Sequence, residues 1–160
     1  MTPVVRRIAD HDWPGIVALE AEAYRGCGLS EDPAALSSRA SETTSFVVDH
    51  SGRVAGYLLA LPYPRLRCPD LERAEEVVFE SANLHLHDLV VAGAHRRTGL
   101  GGRLLHSLVT AARAQAYEMI SLVSVAGSRS FWSARGFSPQ SPIALPAGYG
   151  PDATYMSRPL

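Results

Sequence analysis

The sequence predicts one α/β domain over residues 1–160, and three observations carry that prediction. The length suits a single domain with a core that needs no disulfide or metal support. Short β-rich runs alternate with segments of helical spacing. Near the middle, a strand feeds a glycine turn that feeds an amphipathic helix. With 46% hydrophobic and 19% charged residues and a net charge of −1, the composition is that of an ordinary soluble protein and argues against a nucleic-acid partner. All of the basic side chains counted among Lys and Arg are arginines, which excludes Schiff-base and lysine-nucleophile chemistry.

The first element is a β-rich run, Val4 to Ala9, closed by Asp10 and Asp12, which are suited to cap a helix. That helix carries Ile16, Leu19, Ala23 and Tyr24 on one face. Gly26, Gly28 and Ser30 form a break before a second helix from Pro33 to Ser41. Phe46 to Asp49 and Arg53 to Leu61 read as a hairpin around His50, Ser51 and Gly52. A long connection, Pro62 to Ala82, holds three prolines and the glutamates Glu72, Glu75, Glu76 and Glu80; connections of this length are often functional. Asn83 to Val91 reads as a strand and Gly99 to Ala116 as a helix with Leu104, Leu105, Leu108, Val109 and Ala112 on one face. A strand from Ile120 to Val125, a short helix from Ser128 to Arg135 and two terminal strands near Ile143 and Tyr155 complete the layout. The start lacks the apolar run of a signal peptide and no stretch reaches a membrane span, so the expectation is a cytoplasmic protein without membrane partners. Cys27 and Cys68 stand alone and suggest neither a disulfide framework nor a zinc knuckle.

The strongest chemical signal is Arg96-Arg97-Thr98-Gly99-Leu100-Gly101-Gly102, between a strand and a helix. Glycines let the backbone approach an anion, the helix start offers N–H groups and a favourable dipole, and arginines add charge-assisted bonds. The spacing matches neither a P-loop nor G-x-G-x-x-G after the strand.

This segment resembles the GNAT acyltransferase superfamily, whose acetyl-CoA motif reads R/Q-x-x-G-x-G/A; Arg96, Gly99 and Gly101 fit it. A second match, Phe131-Trp132-Ser133-Ala134-Arg135-Gly136-Phe137, resembles the family's F-Y-x-x-x-G-F about 30 residues downstream. The resemblance spans nearly the whole chain and implies the GNAT fold, a mixed, mostly antiparallel sheet of six to seven strands flanked by about four helices. It further implies acetyl-CoA as co-substrate. The pyrophosphate would rest on backbone N–H groups between Arg97 and Gly102, Thr98 included, and pantetheine on main-chain groups of Leu89 and Val91, with Phe131 and Trp132 beside it. The family tyrosine that protonates the departing thiolate is replaced here by Trp132, whose indole N–H only donates. Tyr155 and Ser133 are the remaining candidates for that duty.

His85-Leu86-His87-Asp88-Leu89-Val90-Val91 looks most like arylalkylamine N-acetyltransferases, which carry H-L-H-x-L-A-V on this strand. Residues two apart on a strand share a face, so His85 and His87 are expected to point together into one cavity and Asp88 away from it. An aliphatic amine arrives protonated, and an imidazole with a pKa of about 6.5 can take its proton directly or through water. The same pair also fits a packed, hydrogen-bonded core. It fits a metal only with a third ligand, which neither Asp88 nor His106 is placed to supply, so no metal is expected. The acceptor site is expected at residues 24–30 and 61–82, with Tyr57 and Tyr63 as aromatic walls and the glutamates from Glu72 to Glu80 attracting a cation. The function this implies is acetyl transfer to a small amine, aryl-alkyl or polyamine-like, by a monomer or homodimer. An acyl-CoA-binding sensor and another acyl-CoA enzyme, an O-acyltransferase or decarboxylase, stay open beside it.

Overall fold

The computed structural model describes residues 2–125, 127–140 and 143–160. Its centre is a seven-stranded sheet of β1 (Val4–Arg7), β2 (Phe46–His50), β3 (Arg53–Pro62), β4 (Asn83–Val91), β5 (Met119–Ser124), β6 (Ser138–Pro139) and β7 (Thr154–Pro159). The order is β1-β2-β3-β4-β5-β7-β6, and every neighbouring pair is antiparallel except β4 and β5. This mixed, mostly antiparallel sheet with four α-helices is the architecture the resemblance implies.

The helices α1 (Trp13–Ala23) and α2 (Pro33–Ser37) cover one face, while α3 (Leu100–Ala114) and α4 (Arg129–Ser133) cover the other. Apolar residues divide between the faces by alternation: Leu58, Ala60, Leu84 and Leu86 meet Leu104, Leu108 and Ala112 of α3, whereas Val47, Tyr57 and Leu59 meet Ile16 and Leu36. A fork of two 2.8 Å bonds from Arg6 to the buried Asp12 carboxylate pins the start of α1 to β1. The start of α2 is set by Pro33 in its first turn and by Asp32, which accepts the Ala34 N–H at 3.1 Å.

Two elements differ from the sequence reading. Helix α2 ends at Ser37 rather than Ser41, because the hydroxyls of Ser37 and Ser38 bond back to the Ala34 and Ala35 carbonyls and the chain turns inward at Arg39. The strand expected near Ile143 lies instead at Ser138–Pro139, and Ile143 to Pro146 are irregular. Ser138 and Pro139 pair with Ser157 and Met156 at the sheet edge, and the Gln140 N–H bonds to the Tyr155 carbonyl at 3.0 Å. Among the described residues no helix is long and apolar enough to cross a membrane.

Two irregularities in β4 shape the site. Leu59 of β3 lies opposite Asp88 but its neighbour Ala60 lies opposite Leu86, so β4 carries one extra residue, His87, at a bulge. Toward β5, pairing covers only Asn83, Leu84 and His85, opposite Met119, Ile120 and Ser121. Beyond that point the two strands diverge.

Candidate active site

The divergence of β4 and β5 opens a cavity of about 650 Å³. One end is walled by the turn between β4 and α3. Arg97 and Gly99 both take left-handed backbone, φ 62° and 82°, so the chain coils tightly before α3 begins. The Thr98 hydroxyl donates to the His95 carbonyl and closes the coil. The helical ladder starts with the Arg103 N–H on the Gly99 carbonyl at 3.1 Å, so the N–H groups of Leu100, Gly101 and Gly102 precede it without helical partners. Arg96, Arg97, Gly99, Gly101 and Gly102 line this end, and Thr98 does not. Arg135 joins them, its guanidinium 3.6 Å above the Phe131 ring and donating to the Phe131 carbonyl. A Cβ on Gly101 would enter the space between Phe131, Leu89 and Val91, at 3.6 to 4.0 Å from each.

The middle of the cavity has Leu89 and Val91 on the β4 side and Leu122 and Val123 on the β5 side, with Phe131 and Trp132 of α4 alongside. Trp132 is edge-to-face with both Phe131 and Phe137, so it belongs at once to the core and to the cavity wall. Tyr155 does not line the cavity; its hydroxyl accepts the Leu66 N–H at 2.9 Å.

At the other end stand His87 and Asp88, with Tyr24, Leu29, Glu31, Leu71 and Tyr149 around them. The histidine pair separates in role. His85 is 1% exposed, does not line the cavity, and places Nδ1 at 2.8 Å from the Ser121 hydroxyl, which also takes a bond from the Asn83 amide. Burial, helped by the neighbouring His87 and Arg39 charges, holds His85 down to about 3. His87 lines the cavity with Nε2 at 2.6 Å from Glu31 Oε2, while its buried Nδ1 has no hydrogen-bond partner.

Asp88 does not face away from the histidines. The extra residue at His87 resets the alternation, so Asp88 and Val90 share the α1 face with Leu59 and Tyr57, as His85 shares it with Leu61. Both Asp88 oxygens are occupied: Oδ1 accepts the Tyr24 hydroxyl at 2.5 Å and Oδ2 the Tyr57 hydroxyl at 2.6 Å. Burial still pushes this carboxyl up to about 6, against the opposing pull of His87 and the two hydroxyls. Burial, followed by the Asp88 charge, raises both tyrosines. For Glu31, burial raises the carboxyl but the bonds and charges of His87 and Arg39 outweigh it, and the net direction is down.

Neither Tyr57 nor Tyr63 lines the cavity, and neither do the glutamates of the long connection. Glu75 is paired with Arg39 instead. The carboxylates on the cavity wall are Glu31 and Asp88. Tyr24, Leu29 and Leu71 fall within the two segments expected to form the acceptor site, whereas Glu31 and Tyr149 lie outside them, in stretches whose order depends on tertiary bonds. The hydroxyl of Tyr149, for example, donates to the Pro69 carbonyl at 2.6 Å across 80 positions of sequence.

Comparison with known proteins follows the same lines. Ard1 from Thermoplasma volcanium is 17% identical over all of this chain and 99% of its own, with a TM-score of 0.75. N-acetylglutamate synthase from Neisseria gonorrhoeae, solved with coenzyme A and N-acetyl-glutamate, is 18% identical with a TM-score of 0.75, and this chain spans 35% of it. The GNAT-like decarboxylase GphF, solved with isobutyryl-CoA, is 19% identical over 98% of both chains, with a TM-score of 0.74. None of the curated proteins compared with this chain matches it. The sequence profile of the Acetyltransferase (GNAT) family matches residues 11–137, which includes the turn, β4 and α4. The chain belongs to the acetyltransferase (GNAT) family, acyltransferases that use an acyl-CoA.

Proposed function

We propose that this chain transfers an acetyl group from acetyl-CoA to a small primary amine, with His87 as the proton acceptor. The observation that carries the reading is that His87 lines the cavity and its buried Nδ1 has no hydrogen-bond partner. The residues of the turn fit the anionic portion of an acyl-CoA: free helix-start N–H groups, Arg96, Arg97 and Arg135 around them, and a gap at Gly101 that a Cβ would fill. Leu89 and Val91 offer an apolar wall with a strand backbone to the pantetheine arm. When bound, acetyl-CoA supplies an activated acyl carbon with a thiolate as leaving group.

The chain's own part is to bind the amine, orient it and move its proton. Asp88 and Glu31 supply negative charge where a cationic amine would enter, and Tyr24, Leu29, Leu71 and Tyr149 supply apolar and aromatic surface. This mixture favours an amine with an apolar body over a polyamine. The ammonium passes one proton to His87 Nδ1, directly or through a water, and the nitrogen then forms the C–N bond as the C–S bond breaks. The proton shed by the new amide nitrogen goes to the thiolate. A thiol pKa of about 8.5 makes thiolate departure tolerable without a dedicated acid, so Trp132 packs along the arm without a proton to give.

The test is release of CoA thiol from acetyl-CoA against aryl-alkyl amines, polyamines, amino acids and alcohols, with a no-acceptor control. Turnover is expected with an aryl-alkyl amine, and His87→Gln should lower kcat by about 10²–10⁴. Turnover with alcohols alone, or acyl-CoA consumption without any acceptor, would replace this reading with O-acyl transfer or decarboxylation. Tight acyl-CoA binding without turnover would leave a sensor.

A further inference from the structure

We propose that Glu31, held from behind by Arg39, is a positioning residue that decides which ring nitrogen of His87 carries the proton. The inference rests on the reading of His87 as the base, and it gives Glu31 a second role and Arg39 a first one.

Glu31 is clamped. Its Oε2 faces His87 Nε2 at 2.6 Å, its Oε1 takes both Nε and Nη2 of Arg39 at 3.0 and 2.7 Å, and its backbone N–H bonds to the buried Glu20 carboxylate at 2.7 Å. Arg39 is 0% exposed and does not line the cavity. Its Nη1 donates to the Glu75 carboxylate, and Nη2 also reaches the carbonyls of Asp70 and Arg73 in the long connection after β3. Burying a guanidinium is costly unless every donor is met. The charge is met by two carboxylates, Glu75 of the connection and Glu31, and the second pairing has a reason of its own.

That reason lies in donor and acceptor counting. A guanidinium has five N–H donors and no acceptor, so whatever faces Arg39 must present an acceptor. An ionised Glu31 is acceptor on both oxygens and has no proton to offer His87. Nε2 must therefore be the donor, and in the neutral ring Nδ1 is left as a bare lone pair. Nδ1 is the atom on this side chain without a partner. Arg39 keeps Glu31 ionised and turned, Glu31 sets the ring, and the ring keeps Nδ1 as its acceptor.

Glu31→Gln makes the argument testable by reversing it. With Arg39 in place, the Gln carbonyl must face the guanidinium, which turns the amide NH₂ toward His87. An NH₂ cannot accept, so Nε2 becomes the acceptor and the proton moves to Nδ1. The experiment records two-bond ¹H–¹⁵N correlations of the histidine rings at mildly alkaline pH in wild type, Glu31→Gln and Glu31→Asp, together with kcat and acetyl-CoA affinity. Wild type and Glu31→Asp should show the proton on Nε2, and Glu31→Gln should show it on Nδ1. The kcat of Glu31→Gln should fall by about 10²-fold or more, with acetyl-CoA affinity unchanged and partial rescue in Glu31→Asp. A proton on Nδ1 in the wild type overturns the proposal without any variant having to fold, as does an unswitched ring in folded Glu31→Gln. A switched ring with unchanged kcat upholds the positioning role and removes His87 as the base.

Discussion

At the scale of single residues, His85 and His87 differ because His87 lines the cavity and His85 is packed away from it. His85 keeps a pKa of about 3 when folded and regains about 6.5 when unfolded. Between those values the unfolded chain binds a proton that the folded chain refuses, so stability falls as pH drops through that window. His85→Gln removes this penalty along with the Ser121 bond. The variant should be about 1–3 kcal/mol less stable than wild type near neutrality, and the gap should narrow on acidification below about pH 6.5. Urea unfolding at about pH 8 and about pH 5 measures it, and a gap that widens in acid would show that His85 is protonated in the fold. Asp88 has the opposite sign: raised to about 6, it binds its proton more readily folded than unfolded, so its contribution declines as pH rises toward 6. Trp132 yields a different expectation. As an indole that only packs, Trp132→Phe should change kcat by less than about tenfold, well under the 10²–10⁴ of an acid or base; a thousandfold fall with acetyl-CoA affinity intact would assign it a chemical role.

At the scale of elements, the turn before α3 was legible because its chemistry is local. Glycines at Gly99 and Gly101 and arginines at Arg96 and Arg97 act within a few residues of each other, and all four line the cavity. Gly99→Ala should cost about 1–2 kcal/mol, since a residue with a Cβ resists φ 82° and nothing nearby offsets the strain. Denaturant unfolding would register it, and an unchanged midpoint would mean the turn is not left-handed. Strand β4 was legible as a strand but not in its facing. Strict alternation puts His85 and His87 together and Asp88 opposite, and one extra residue at His87 is enough to gather Asp88 with the tyrosines instead. Bulges depend on the partner strand, which a single sequence does not display. The strand sought at Ile143 failed for a related reason, because apolar residues between prolines look alike in an edge strand and in a loop.

At the scale of the molecule, the two ends of the cavity come from different kinds of structure. The anion end is built on β4, α3 and α4, while the acceptor end is assembled from the segments after α1, after β3 and before β7. The first repeats a motif and was readable; of the second the sequence showed two contributing segments but not Glu31, Tyr149 or the bonds of Arg39 that span 31 to 36 positions. Acyl-CoA binding should stabilise the whole fold by about 2.7 kcal/mol at a hundredfold excess over Kd. Gly101→Glu should abolish that gain, because its side chain fills the gap beside Phe131, Leu89 and Val91 and adds a negative charge. Equal thermal shifts with acetyl-CoA in wild type and variant would place the ligand elsewhere.

The three-residue pairing of β4 with β5 has a consequence for what this sheet admits. A strand bonded on one side only is an edge, and exposed edges invite neighbouring chains to add on and aggregate. Here the edge is internal: β4 has β3 on one side, a gap on the other, and β5 closes the gap beyond. The sheet therefore keeps an edge in its interior, where the walls of the cavity shield it from the neighbouring chains that an outer edge would meet.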